Sequence, residues 1–333
     1  MAEWPKVSDL EKREDLVWSK KQRWILRGGE HYKGKIGDTG AQIVSKEWYR
    51  GDHLNFFPMK PNLDEGNATY DYFLKGWVPD SPFIDQDSNV TAFGSCFAHE
   101  IRTYLTANGY KSYDPTVSKF VPIIHVPEGI NTTFALVQQF EWAWGNASIS
   151  DGYWYDRDKK KFEPTEAARQ ATKEIFDNTD VFILTLGLSE IWYDKLTNDV
   201  FWRGVPLDKF DPERHGFRVS TVTENVRNLE MIRGYIKKFN PNAHLILTLS
   251  PVPLTATFRN VPCTSANMVS KATLRVAVDE LMRNHEDDDH LWYWPSYELV
   301  KERWNQYDAD NRHVSRETIN MILETFSQYY LKG

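Results

Sequence analysis

The sequence predicts an α/β protein built on a mostly parallel sheet with helices on both faces, preceded by a loop-rich N-terminal extension. Two observations predict the sheet. From residue 88 onward, short apolar runs alternate with segments of helical period, the pattern of βαβ units. Val181–Leu186 and His244–Leu249 are apolar almost throughout and bounded by Asp, Gly or Ser-Pro, as strands buried on both faces are. The third observation concerns the extension. Residues 28–87 are rich in Gly, Pro, Asp and Asn between aromatic pairs, with no sustained period of either kind.

The elements follow in order. Residues 1–87 form the extension, in which residues 8–24 are charged and carry a short helix. Its aromatics need burial, so it is expected to pack on the main domain, residues 88–333, with residues 28–87 forming one wall of the cleft. Asn89–Phe93 reads as the first strand. The helix after it carries Phe97, Ile101 and Leu105 on one face and stops at Gly109. Phe120–Val126 is a second strand candidate, followed by a helix from about Thr133 to Trp144. Glu166–Asp177 is helical in composition. Val222, Val226, Leu229, Ile232 and Ile236 form a helical stripe. Residues 266–284 read as a long helix and His290–Trp294 as a last strand. Ile319, Ile322, Phe326 and Tyr329/Tyr330 line a C-terminal helix.

Composition narrows the function. The 41% hydrophobic share supports a large core. A net charge of −7, from 40 Lys+Arg against 47 Asp+Glu, argues against a nucleic-acid partner. No apolar run approaches the roughly 20 residues of a membrane span, and no signal segment follows the N-terminus. Two cysteines exclude a disulfide scaffold and a Cys-based zinc cluster. A cytoplasmic protein is expected. The 13 Trp, 16 Tyr and 18 Phe either fill the core or stack on a glycan.

In an open parallel sheet, sites form at the carboxyl ends of strands. That rule selects Gly94-Ser95-Cys96, Gly187-Leu188-Ser189-Glu190, Ser250-Pro251-Val252-Pro253, and Asp310-Asn311-Arg312-His313 before the last helix. A thiol at a helix start meets free backbone N–H groups and a partial positive charge, which favour the thiolate. The same N–H groups can hold an oxyanion. Asp310, three residues before His313, can hydrogen-bond its imidazole and fix the tautomer. Lys271 and Arg275, one helical turn apart, read as an exposed face, Asp287-Asp288-Asp289 as a solvated turn, and His99 as a surface or packing residue.

Gly94-Ser95-Cys96-Phe97-Ala98 reads GSCFA, and the chain resembles the GSCFA family, named for this motif. The resemblance covers roughly residues 88–331 and is supported by Thr185-Leu186-Gly187, Ser250-Pro251-Val252-Pro253, Ser270-Lys271 and Asp310 through Ser315. The family is similar to SGNH/GDSL hydrolases. That likeness implies a flavodoxin-like three-layer α/β/α sandwich and acyl-ester chemistry, by esterase or O-acyltransferase, on glycans or small esters. It implies an acyl donor and a carbohydrate or small-molecule acceptor as partners, and no metal or organic cofactor. Setting Gly94 on the glycine of Gly-Asp-Ser places Cys96 on the nucleophile, with Ser95 the other candidate. Asp310 and His313 complete the triad. Gly129 matches the second-block glycine. Gly187 heads a third block in which Ser189 stands where an oxyanion Asn is usual, leaving Ser189, a backbone N–H or Asn131 for that role. The competing expectation is a non-enzymatic glycan-binding domain with a degenerate triad.

Overall fold

A computed structural model describes residues 55–112, 121, 123, 129–145, 162–202 and 204–333. Strands β1 (Val90–Gly94), β2 (Val181–Leu186), β5 (His244–Leu249) and β6 (Leu291–Trp294) form a four-stranded sheet in the order β1-β2-β5-β6. Every pairing in it is parallel. Among the described residues, the helices longer than two turns are α1 (Cys96–Ala107), α2 (Thr133–Ala143), α3 (Glu166–Asp177), α4 (Val222–Phe239), α5 (Cys263–Asn284) and α6 (Arg316–Tyr330).

Alternation along each strand splits the core in two, because successive side chains leave a strand on opposite faces. Phe182, Leu184 and Leu186 of β2, with Leu245, Leu247 and Leu249 of β5, pack against α2–α5. Val181, Ile183 and Ile246 pack against α1 and α6 on the other face. This is the three-layer α/β/α sandwich. Beyond β1, Val90 makes a parallel bridge to Ser112 and its amide donates to Lys111. The chain therefore runs to one side of β1 and then returns to β2 on the other. Cys96 sits just past β1, at this reversal of strand order, where α/β sheets open a crevice.

Most of the sequence-predicted elements coincide with observed ones to within three residues. The predicted strand Phe120–Val126 is different: only Val121 and Ile123 of it are described, both buried and neither in a strand. An antiparallel hairpin of β3 (Glu190–Asp194) and β4 (His215–Val219) was not predicted.

Of the extension, residues 1–54 lie outside the described residues. The rest packs on the body. Leu74 and Ile84 are fully buried, Ile84 bridges Leu331, and Phe83 stacks on His244 with ring centroids 4.0 Å apart.

Candidate active site

Gly94 and Ser95 fix the turn from β1 into α1. Gly94 has φ +135°, and a Cβ there would lie 2.2 Å from the carbonyl oxygen of Thr185, so only glycine lets the chain approach β2 this closely. Ser95 is the N-cap of α1: its Oγ accepts from the amide of Phe97 at 3.3 Å. The same hydroxyl donates to Thr185 Oγ1 at 2.9 Å, and the Ser95 amide donates to Thr185 Oγ1 at 2.5 Å. Ser95 is buried and its polar atoms are engaged. Cys96, the next residue, is exposed at the first turn of α1.

The Asp310–His313 pair is formed. His313 Nδ1 lies 2.5 Å from Asp310 Oδ2, and the other carboxylate oxygen accepts the amides of His313 and Arg312. Those two amides and the imidazole hold the Asp310 carboxyl down at about 2. Nδ1–H donated to the carboxylate leaves Nε2 as the acceptor, and Arg312 Nη1 sits 3.2 Å from it. The loop is exposed and tied to α1 by an ion pair between Arg316, at the start of α6, and Glu100, four residues past Cys96.

The oxyanion candidates separate. Ser189 is fully buried, its Oγ has no hydrogen-bond partner, and its amide donates to Ser270 Oγ. Asn131 is only half-buried. Its backbone carbonyl accepts the amides of Gly187 and Leu188 at 2.8 and 3.2 Å. A Cβ at Gly187 would lie 2.8 Å from Asn131 Cβ, so Gly187 makes room for Asn131. Gly129 and Asn131 line a cavity of about 320 Å³ with Glu190, Trp192, Trp202, Phe217 and Phe258 among its walls. Cys96, Asp310 and His313 do not line it. Residues 55–77 wall a different cavity, of about 590 Å³, beside Arg275, Pro295 and Glu298.

Two surface readings of the sequence are corrected. Lys271 is 2% exposed and donates to the carbonyls of Gly187 (2.8 Å) and Ser250 (2.7 Å), at the ends of β2 and β5. Arg275 packs over Tyr293, 4.5 Å from the ring centroid, and pairs with Glu298 at 2.6 Å. Of the Asp287-Asp288-Asp289 turn, Asp287 and Asp289 are exposed as expected, while the Asp288 carboxylate is covered and pairs with Arg233 and Lys237. His99 is exposed, as expected.

The GSCFA family model matches residues 89–326. The chain belongs to the GSCFA family. No curated protein matches the sequence. Among solved structures it is similar to a carbohydrate esterase family 3 protein from Talaromyces cellulolyticus (11% identity, covering 72% of this chain and 94% of that one, TM-score 0.36). It is also similar to a carbohydrate esterase family 2 enzyme with a carbohydrate-binding domain from Corynascus thermopiles (Myceliophthora fergusii), at 15% identity over 75% and 67% of the chains and TM-score 0.33. A third similar structure is an acetyl xylan esterase from the rumen bacterium Butyrivibrio proteoclasticus, at 12% identity over 75% and 65% and TM-score 0.27. Within this GSCFA chain, no described helix is long and apolar enough to cross a membrane.

Proposed function

We propose that this GSCFA protein is an SGNH-like acyl-transfer enzyme acting on ester-linked acyl groups of a carbohydrate, with Cys96 as nucleophile. The observation that carries the reading is the division of labour at the start of α1. Ser95 is consumed as cap and tether, while the adjacent thiol is exposed at a helix N-terminus, where negative charge is favoured.

The Cys96 sulfur attacks the acyl carbonyl carbon and its proton passes to His313 Nε2, which Arg312 must first vacate. Asp310 holds the ring through Nδ1 and stabilises the imidazolium. The oxyanion is met by the Cys96 and Gly129 amides and the Asn131 side chain. The ester C–O bond breaks, and the departing alcohol takes the proton from His313. A water or a second sugar hydroxyl, deprotonated by His313, then attacks the thioester and restores the thiol. Water gives an esterase and a hydroxyl gives an O-acyltransferase. The aromatic cavity beside Asn131 receives the sugar, since Trp192, Phe217 and Phe258 offer apolar faces beside the Glu190 carboxylate.

Intact-mass spectrometry after incubation with an activated acetyl ester tests this. The wild type and Ser95→Ala are expected to gain one acetyl group on Cys96, and Cys96→Ala none. An adduct that survives in Cys96→Ala and disappears in Ser95→Ala overturns the assignment. The second reading, a glycan-binding domain, is favoured by the absence of Cys96 and His313 from the cavity walls. It predicts oligosaccharide binding with no adduct from any donor.

A further inference from the structure

β3 sets two carboxylates, Glu190 and Asp194, on one of its faces, with Trp192 between them, because side chains alternate along a strand. Both are buried, Glu190 at 7% exposure and Asp194 at 0%. Asp194 has its counter-charge: Arg214 Nε lies 2.7 Å from Oδ2. Glu190 has none. The Thr257 hydroxyl donates to its Oε1 at 2.7 Å, and among the described residues no Lys, Arg or His pairs with it. That one hydrogen bond needs no charge, since a glutamine amide would accept it at a far smaller desolvation cost. Buried charges are ordinarily paired.

Glu190 lines the cavity beside Asn131. Trp192 stands two residues along on the same face, and Phe217 of β4 is its direct cross-strand partner. Phe258 lies against both rings, with centroids 4.8 and 5.3 Å away, yet is 68% exposed. The Thr257 hydroxyl that meets Glu190 also accepts the Arg259 amide at 3.2 Å, so the carboxylate pins the turn that carries Phe258. A carboxylate without a cation is thereby set against three aromatic rings around an open volume of about 320 Å³. Both parts favour one ligand chemistry. A carboxylate attracts an ammonium and accepts its hydrogen bonds, and ring faces attract the same charge. A neutral polyol would cover the rings and leave the buried charge without its opposite.

We propose that the ligand of this cavity is an amino sugar, whose protonated amine pairs with the Glu190 carboxylate while its ring lies on Trp192, Phe217 and Phe258. Glu190 is then the residue that selects a cationic sugar over a neutral one. This rests on the reading of the cavity as the carbohydrate site and is independent of the assignment of Cys96.

Calorimetric titration of the full chain at about pH 6, where an amine keeps its proton, tests it with three probes. They are the β-1,4-linked trisaccharide of glucosamine, cellotriose, which carries hydroxyls in place of those amines, and choline, an ammonium without a sugar. The glucosamine trisaccharide is expected to bind roughly tenfold more tightly than cellotriose, the margin of a charge-assisted hydrogen bond over a neutral one. Equal affinities overturn the proposal and leave a neutral-sugar cavity standing. Choline binding as tightly as the trisaccharide overturns the assignment to a sugar. Binding of none of the three overturns both the proposal and the carbohydrate reading of the cavity.

Glu190→Gln keeps the shape and the acceptor for Thr257 and removes only the charge. It is expected to lose the roughly tenfold preference with its affinity for cellotriose unchanged. A parallel loss of both affinities would make Glu190 a support for the Phe258 turn alone and overturn the proposal. If the variant fails to fold, the three wild-type titrations decide. No readout here uses acyl transfer, so a missing acyl adduct on Cys96 would sink the enzymatic reading without touching these affinities.

Discussion

Ser95 and Cys96 are adjacent and chemically alike, and local backbone geometry separates them. Ser95 occupies the N-cap, where an oxygen side chain is worth about 1 kcal/mol to the helix. The next residue projects from the first turn. A serine at a helix start favours that role from sequence alone, so the distinction was partly legible there; the second tether, to Thr185 across 90 positions, was not. Gly94 carries the same junction. Replacing it with alanine puts a Cβ into the backbone of β2 at a positive φ, and backbone cannot swing aside as a flexible side chain can. Gly94→Ala is expected to lose about 3 kcal/mol or more, the range of a strained backbone plus a core clash. Urea denaturation measures it, and a loss under about 1 kcal/mol would show that β1 and β2 can part without cost. Lys271 was misread for a physical reason. Within α5 nothing in the local sequence marks it as buried, and its burial is created by carbonyls 84 and 21 residues away in sequence.

Among the elements, legibility followed burial. β2 and β5 are buried along almost their whole length and their apolar runs announced them. The hairpin is the opposite case. β4, His215–Val219, has one buried residue among four half-buried ones and includes Gly216 and Arg218, so no period stands out. It is ordered by its partners: Arg218 pairs with Glu224 in the capping box of α4, which holds the Glu224 carboxyl at about 2. The hairpin also carries Trp192, whose ring meets Phe258 edge-on at 4.8 Å and Phe217 at 5.4 Å. This trio forms a wall of the cavity beside Asn131. If that wall binds the sugar, Trp192→Ala is expected to raise KM for a glycan ester by roughly tenfold, the scale of one or two lost aromatic contacts. Acylation by a small activated ester, which needs no sugar contact, should keep its rate. Steady-state kinetics with both donors checks this. Equal losses on both would place the trio in the core rather than in the binding wall.

For the whole molecule, the buried lysine makes stability depend on pH in a defined direction. An unfolded lysine holds its proton to about pH 10.4, whereas burial lowers Lys271 to about 7 in the fold. Between these values the unfolded chain binds more protons than the native one, so stability rises with pH across that window. Below pH 7 the lysine is charged in both states and the full cost of burying it remains; above about 10.4 it is neutral in both and that cost is gone. Other groups titrate over the same range, but they cancel when Lys271→Met is compared with its parent. Unfolding free energies from urea are expected to show the lysine-bearing protein gaining on its methionine variant by a few kcal/mol between pH 6.5 and 9.5. The two carbonyls left bare in the variant lower its stability at every pH and leave the slope untouched. Parallel stability curves would mean that the clasp of Gly187 and Ser250 keeps the ammonium charged throughout, with no proton released at the centre of the fold.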